Sequence, residues 1–194
     1  MITLFSGILI LAAVAAALLM LLSDSWRWTI AGLAIQYLVV FLLVAQIWPI
    51  GLAAIKLIAG WLAGVLLSMA NASTQLEETF FSPRSARIFR LFSAGIVLMI
   101  IFAITPSLNT WLPIPYHVLL IGLMLIGMGV LQFGISQRPL RVILGLLTLL
   151  SGFEVIYSSL EGSALLAAIL AAITLALGLI GSTILLNERP QENV

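Results

Sequence analysis

The sequence predicts an all-α, polytopic membrane protein with about seven transmembrane helices. Hydrophobic residues make up 63% of the 194 residues and charged residues only 8%, whereas a soluble domain is about half apolar and about one quarter charged. Four long stretches contain no Asp, Glu, Lys or Arg: 1–23, 28–55, 91–137 and 162–187. Proline, glycine and charged residues divide the chain at intervals close to the ~20 residues that span a bilayer.

This punctuation predicts seven spans, in chain order near 3–22, 27–47, 50–70, 88–105, 116–136, 140–159 and 163–186. The first span has no Lys or Arg ahead of its apolar core, so we interpret it as a retained helix and not as a cleaved signal. Ser23, Asp24 and Ser25 can cap the second helix. Pro49 separates the second span from the third, and Pro139 separates the fifth from the sixth, because proline breaks a helix interior.

The boundaries of the fourth span determine how we divide the chain into segments. Thr105-Pro106 is expected to end this helix, and the following residues up to Pro115 are expected to form a loop. We therefore divide the chain into a three-helix membrane segment (1–73), a cytoplasmic loop (74–87), a fourth helix with an outer loop (88–112), and a three-helix module with a short cytoplasmic tail (113–194). Ser82-Pro83, near the end of the cytoplasmic loop, is typical of a helix start.

The arginines predict the orientation. Seven arginines fall on one side of the seven-span arrangement, namely Arg27, Arg84, Arg87, Arg90, Arg138, Arg141 and Arg189. The connections on the other side, 48–51, 106–115 and 160–162, contain no Lys or Arg. Because short loops rich in Lys and Arg stay in the cytoplasm, we expect an amino terminus outside and a carboxyl terminus in the cytoplasm. The expected location is the inner (cytoplasmic) membrane of the cell.

Glu154 is one of two charged residues that this arrangement leaves inside the hydrocarbon. A charge there costs about 2.5 kcal/mol or more, so an intramembrane acid usually serves an ion path, a proton relay or a paired contact. Thr148, Ser151 and Ser158 recur with Glu154 at helical spacing, which puts them on one helix face with Tyr157 beside them. This polar stripe predicts proton or ion handling. The alternative is a structural carboxyl group hydrogen-bonded between helices.

Lys56, in the third span, is the second such charge. Lys56 and Glu154 each lie about six residues from the outer end of their span, or roughly 9 Å at about 1.5 Å per residue. Equal depth makes an ion pair possible, and a cation that approaches a carboxyl group favours its ionised form. Alternatively, a lysine this close to the interface extends its ammonium to the lipid headgroups and has no function.

Several functions are excluded by composition. The chain contains no cysteine and one histidine, His117, so thiolate and multi-histidine metal sites cannot form and we expect no cofactor. The formal net charge is +1, and no soluble basic domain presents a patch, so we expect no nucleic-acid partner. The expected surroundings are the lipid bilayer and other membrane subunits.

Glycines recur at positions that favour close helix packing. Gly60 and Gly64 form a small-xxx-small pair on the third span. The same theme continues at Gly122, Gly127, Gly129, Gly178 and Gly181. We expect neighbouring helices to approach closely at these positions.

Three motifs in the carboxyl-terminal module carry a family resemblance. They are Ile114-Pro115-Tyr116-His117, the basic turn Ser136-Gln137-Arg138-Pro139-Leu140-Arg141, and Gly152-Phe153-Glu154-Val155-Ile156. From Pro113 onward the chain resembles subunit K of the proton-pumping NADH:quinone oxidoreductase, complex I, and the C subunit of Mrp-type sodium/proton antiporters. With the helices ahead of that module, the whole chain is most similar to component E of complex-I-related membrane-bound hydrogenases. Trp48, eight residues before Lys56, and Gln36 match the pattern of that family.

The resemblance implies a role for Glu154 in a line of charged residues that conducts protons across a membrane arm. The family has a second acid in the following helix, where this chain has Thr174 or Leu175. The leading hypothesis is a cofactor-free, non-catalytic membrane subunit of a complex-I-like redox-driven or antiporter assembly, which moves protons or sodium through Glu154 with Lys56 as modulator. The alternative is a purely structural subunit of another energy-converting membrane complex. A free-standing transporter is less favoured, because the sequence shows no paired repeat with broken helices.

Overall fold

A computed structural model describes residues 2–73, 84–136 and 138–187, with side chains from Ser6 onward. These described residues form seven α-helices and no strand. The helices are α1 (Ile2–Leu22), α2 (Trp26–Val44), α3 (Ile50–Ser73), α4 (Arg84–Trp111), α5 (Tyr116–Ile135), α6 (Pro139–Leu160) and α7 (Ala164–Asn187). The predicted all-α class is therefore confirmed, with one helix at each predicted span.

Six of the helices, α2 to α7, are long and apolar enough to cross a membrane. The described side chains of α1, from Ser6 to Leu22, form a shorter apolar helix. Many large apolar side chains on α3, α4 and α7 are exposed on the outside of the bundle, among them Ile58, Met99 and Leu165. A water-facing surface of this kind would aggregate, so these helices indicate a multi-pass protein in a lipid bilayer.

The prediction that Pro106 ends the fourth helix is wrong. α4 continues through Pro106 to Trp111, so most of the expected outer loop is helical. Proline removes one backbone hydrogen bond, here the bond that the Phe102 carbonyl would accept. Such a loss is tolerated in membrane helices where nearby side chains and neighbouring helices compensate, and the Thr105 hydroxyl donates to the adjacent Ile101 carbonyl at 2.6 Å. At its other end α4 begins at Arg84, whereas Ser82-Pro83 lies outside the described residues.

The centre of the bundle is formed by α2, α5 and α6. α6 packs along α5 and also against α2 and α7, while α2 contacts α1, α3 and α6. α3 packs mainly along α7, so the first three helices and the last three share one interior. α4 lies at the periphery, where it contacts α5 and α1.

The expectation of close packing at glycines holds at the α5–α6 interface. A Cβ added at Gly129 would lie 2.5 Å from the Leu149 backbone nitrogen, and one at Gly145 would lie 2.8 Å from the Phe133 nitrogen. Neither backbone can move away without separating the helices. These two glycines therefore allow α5 and α6 to touch backbone to backbone, and this contact fixes the position of α6 in the bundle.

The arginine-bearing helix starts meet at one end of the bundle, here called the basic end. Asp24, in the α1–α2 connection, accepts hydrogen bonds from Arg87 of α4 at 2.5 and 3.0 Å. Arg90 and Arg141 lie 3.6 and 3.8 Å from the same carboxylate, and Arg141 also donates to the Ser23 carbonyl at 2.6 Å. The connections that contain no arginine meet at the opposite end, where Trp48 and Ile114 share one buried cluster.

Candidate functional site

A buried ion pair joins α3 to α6. Lys56 Nζ lies 3.2 Å from Glu154 Oε2, and each side chain is 1% exposed. The pairing that equal depth made possible is therefore present, and the ammonium is not extended to the lipid headgroups. The other carboxylate oxygen, Glu154 Oε1, has no hydrogen-bond partner within the described residues. One oxygen of the acid is engaged by the cation and the other is left to accept a proton or a hydrogen bond.

Trp48 lies on the side of Lys56 that faces the opposite end. Lys56 Nζ is 5.8 Å from the centroid of the indole ring, a distance at which the ring attracts a cation. The indole is 5% exposed, and its Nε1 has no hydrogen-bond partner among the residues described. A Cβ added at Gly162, in the α6–α7 connection, would lie 4.0 Å from this nitrogen. Trp48 therefore lies between the ammonium and the opposite end of the bundle.

Tyr37 of α2 brings a phenol to the same centre. Its ring packs directly on Gly60 of α3, where any Cβ would overlap the ring atoms. Its hydroxyl lies beside the Thr174 hydroxyl and within electrostatic range of Glu154, and it makes no hydrogen bond of standard geometry in the described part of the chain. Thr174 of α7 is itself buried and donates to the Leu170 carbonyl at 3.0 Å. Side chains from α2, α3, α6 and α7 thus converge on Glu154.

A second polar group continues from this centre towards the basic end. Gln36 of α2 donates from Nε2 to Ser151 Oγ at 2.8 Å and accepts from the Thr148 hydroxyl at 3.3 Å. The Ser151 hydroxyl donates a hydrogen bond to the Thr148 carbonyl at 2.8 Å. These three side chains are at most 1% exposed. Thr148 and Ser151, the members of the predicted stripe nearer the basic end, therefore form a hydrogen-bonded network with Gln36 between α2 and α6.

The two remaining members of the predicted stripe lie apart from that network. Ser158 is buried, and its hydroxyl donates to the Val155 carbonyl of its own helix at 2.8 Å. Tyr157 is partly exposed and donates to Glu161 Oε2 at 2.5 Å, beyond the end of α6. Phe153 stacks on its ring from the same exposed side. The phenol that accompanies Glu154 is therefore that of Tyr37, and not that of Tyr157.

Between the polar network and the basic end lies an apolar layer. From Val142 to Leu147, α6 has no polar side chain. The buried hydrophobic residues that pack together around this segment are Met20, Leu33, Tyr37, Ala63, Leu67, Ala70, Ile143, Leu144, Leu147 and Leu185. On α6, the polar side chains that begin at the opposite end therefore reach Thr148, and the next polar side chain of this helix is Arg141.

The site contains few atoms suited to holding a metal. No group of three His, Cys, Asp or Glu side chains lies close together in residues 6–73, 84–136 and 138–187. His117 is partly exposed at the start of α5. What the arrangement offers chemically is one carboxyl group, one amine and several hydroxyl groups, all of which can exchange protons or hydrogen-bond to water.

Sequence reasoning did not identify Tyr37. A tyrosine within an apolar helix is usually a packing residue, and only the closeness of Gly60 to its ring shows which way the phenol points. Gln36 was identified through the family resemblance and not from its own spacing. Comparison with protein-family models, curated proteins and solved structures finds no match to this chain.

Proposed function

We propose that this protein is a cofactor-free membrane subunit that moves protons, or sodium ions, through Glu154, with Lys56 as the residue that modulates it. The observation that carries the proposal is the buried Lys56–Glu154 pair at 3.2 Å. A hydrophobic pair of similar volume would fill this space at no electrostatic cost, and buried ion pairs are often no more stabilising than such a replacement. Intramembrane ionisable residues typically mark ion paths and proton relays.

The unmet hydrogen-bonding capacity around the pair supports the same role. Buried polar atoms are normally paired with protein or with ordered water. Here Glu154 Oε1, Tyr37 Oη and Trp48 Nε1 are all buried, and none has a hydrogen-bond partner in the described segments. Water that bridges these atoms would connect the carboxyl group to the end of the bundle at Trp48.

The proposed step is a change in the proton occupancy of Glu154. With Lys56 close, the carboxylate is ionised and compensated by the ammonium. When the ammonium moves away, Oε1 takes up a proton delivered along bridging water from the arginine-free end, and when the ammonium returns the proton is released along the same water. The hydroxyl groups of Tyr37 and Thr174 can relay the proton, since each can accept one proton as it gives up another. The protein supplies this exchange from its own side chains.

The apolar layer limits how far a proton travels within this chain. On α6 the polar side chains stop at Thr148, and the segment from Val142 to Leu147 carries none. The proposed path therefore opens towards the arginine-free end, and the onward transfer requires another subunit. This need fits a complex-I-like redox-driven or antiporter assembly, which is the class that the sequence resembles.

The orientation belongs to the same proposal. If α1 also crosses the bilayer, the amino terminus lies outside and the basic end, with the carboxyl terminus, faces the cytoplasm, as short arginine-rich connections do. The subunit would then reside in the inner (cytoplasmic) membrane, and Glu154 would lie nearer the outer surface.

One observation favours the alternative of a purely structural subunit. Thr174 or Leu175 falls where the families that the chain resembles have a second acid, and the Thr174 hydroxyl donates to the Leu170 carbonyl at 3.0 Å. With the apolar layer beyond Thr148, this leaves Glu154 as the single intramembrane acid of the described residues. In that case Lys56 and Glu154 would only join α3 to α6.

Purification of the tagged chain from its native membrane in a mild detergent tests the assembly. The partners are identified by mass spectrometry. Antiporter-like, quinone-reducing or hydrogenase subunits in stoichiometric amounts are expected. Stable partners with no relation to ion translocation would favour the structural alternative, and a chain that purifies alone and transports ions alone would contradict the assembly.

A further inference from the structure

A cavity at the basic end has the chemistry of an anion site and is separate from the Lys56–Glu154 pair. Its volume is about 350 Å³, and its polar lining consists of Arg90, Gln132, Ser136, Arg138 and Arg141. These residues come from α4, α5, the α5–α6 connection and the start of α6. Three guanidinium groups from two parts of the chain therefore face one space.

In the described part of the chain, several guanidinium groups are crowded around this cavity. Asp24 is the carboxylate that contacts the lining, and it is shared by Arg90, Arg141 and Arg87. Arg141 is 8% exposed and is repelled by both Arg90 and Arg138. Holding like charges together in a partly buried place is costly unless an anion compensates them. Within the described residues, three guanidinium groups, those of Arg87, Arg90 and Arg141, share one carboxylate.

A buried donor points to the kind of atom that the cavity accepts. Gln132 is 3% exposed, and its Nε2 has no hydrogen-bond partner in the part of the chain that the structure describes. An unpaired buried donor is destabilising, so native proteins normally provide an acceptor for it. Arg90 Nη1 is buried and likewise without a hydrogen bond there, although it lies 3.6 Å from Asp24. An acceptor oxygen inside the cavity would satisfy both donor atoms.

The start of α6 adds positive electrostatic potential at the cavity. The helix begins at Pro139, and no side chain caps its first turn. The positive end of a helix dipole and the unpaired amides of the first turn favour an anion. A phosphate group satisfies all of these features, since it offers several acceptor oxygens to guanidinium donors in paired geometry.

We propose that this cavity binds the phosphate group of an anionic phospholipid. The apolar walls that complete it, Leu21 and Ile135, suit the glycerol and first acyl carbons of a lipid better than they suit a free, fully hydrated ion. Because α1, α4, α5 and α6 all contribute to the basic end, a bound headgroup would join the peripheral helix α4 to the central pair α5 and α6.

Thermal melting of the full-length, delipidated protein in dodecyl maltoside tests this inference. Phosphatidylglycerol, phosphatidylcholine and inorganic phosphate are added separately. We expect phosphatidylglycerol to raise Tm by several degrees and phosphatidylcholine to have little effect. A comparable rise with inorganic phosphate would show that the cavity takes the phosphate group from solution, and the lipid would then not be the source.

Matched variants keep the test specific to the cavity. Arg138→Gln and Gln132→Leu are expected to weaken binding of phosphatidylglycerol about tenfold or more, measured by native mass spectrometry, because each removes a donor to the phosphate. Arg27→Gln removes the same charge from an exposed residue outside the cavity and is expected to bind normally. Equal binding by Arg138→Gln, Gln132→Leu and Arg27→Gln, or no selectivity for the anionic lipid, would overturn the proposal. This outcome is independent of ion translocation through Glu154.

Discussion

Lys56 Nζ and Glu154 Oε2 lie 3.2 Å apart in the interior of the bundle, although α3 and α6, which carry them, share little other contact. α3 packs along α7, and α6 packs along α5. The two charges therefore reach each other between helices that are not close neighbours, beside the hydroxyl groups of Tyr37 and Thr174. An ion pair in such a place can change its geometry without breaking a helix interface, and the predictions below depend on that property.

Removal of one partner of the pair should be more harmful than removal of both. Lys56→Met leaves the carboxylate buried and uncompensated, and we expect a loss of about 3–5 kcal/mol in the free energy of unfolding. Lys56→Met combined with Glu154→Leu should recover most of it. Unfolding by a denaturing detergent, followed by circular dichroism, measures both variants. A double variant as unstable as Lys56→Met would contradict the description of the pair.

The position of Tyr37 depends on Gly60. Gly60→Ala places a methyl group where the Tyr37 ring packs, and such overpacking is expected to cost about 1–3 kcal/mol and to displace the phenol from Glu154. Gly95→Ala is the matched control, because a Cβ added there meets no atom within 4 Å. Thermal melting in detergent compares the two. Equal stability of the two variants would show that Tyr37 has room to move.

Gln36 should matter for translocation more than for stability. Thr148 and Ser151 also donate to backbone carbonyls of α6 at 2.8 Å, so Gln36→Leu leaves their hydroxyl protons satisfied, and we expect a stability loss of only about 1 kcal/mol. Ion uptake should fall, because the polar network then lacks its α2 member. Gln46→Leu is the control, because Gln46 is exposed and lies just beyond the end of α2. Normal uptake by Gln36→Leu would remove the network from the path.

The orientation can be tested directly, because the chain has no cysteine of its own. Thr110→Cys lies at the exposed end of α4, and Gln191→Cys lies in the carboxyl-terminal tail. In intact cells a membrane-impermeant maleimide should label residue 110 and not residue 191, and inverted vesicles should show the reverse. Labelling of both positions from the same side would contradict the topology that the arginines predict.

The sequence predicted the helices well because the physical signals for them are local. Runs of apolar residues and their interruptions set the seven elements, and the equal depth of Lys56 and Glu154 made their pairing foreseeable. The prediction at Pro106 was wrong because proline usually breaks a helix in a soluble protein, whereas a membrane helix can continue through it when neighbouring groups compensate. Tyr37 could not be foreseen, since its orientation depends on a gap at Gly60 of another helix. Local spacing carries no information about such contacts between helices.

The resemblance to complex I subunit K and the hydrogenase component E remains a prediction from motifs. The fold brings Gln36 to Ser151, Trp48 to Lys56 and Thr174 to Tyr37, which their separation along the chain did not require. Tyr157 shows the limit of spacing arguments. It neighbours the polar stripe on the helix, but its hydroxyl binds Glu161 beyond the end of α6.

The central claim is that Glu154 exchanges a proton, and the most direct test is ion uptake by vesicles that contain the assembled complex with Glu154→Gln. Glutamine keeps the size and most hydrogen bonds of glutamate but cannot take up and release a proton. Uptake of protons or sodium, normalised to subunit content, is expected to fall as far with Glu154→Gln as with Glu154→Leu, with partial rescue by Glu154→Asp. Uptake at the wild-type rate by an intact Glu154→Gln assembly would contradict the account and leave Glu154 as a structural contact.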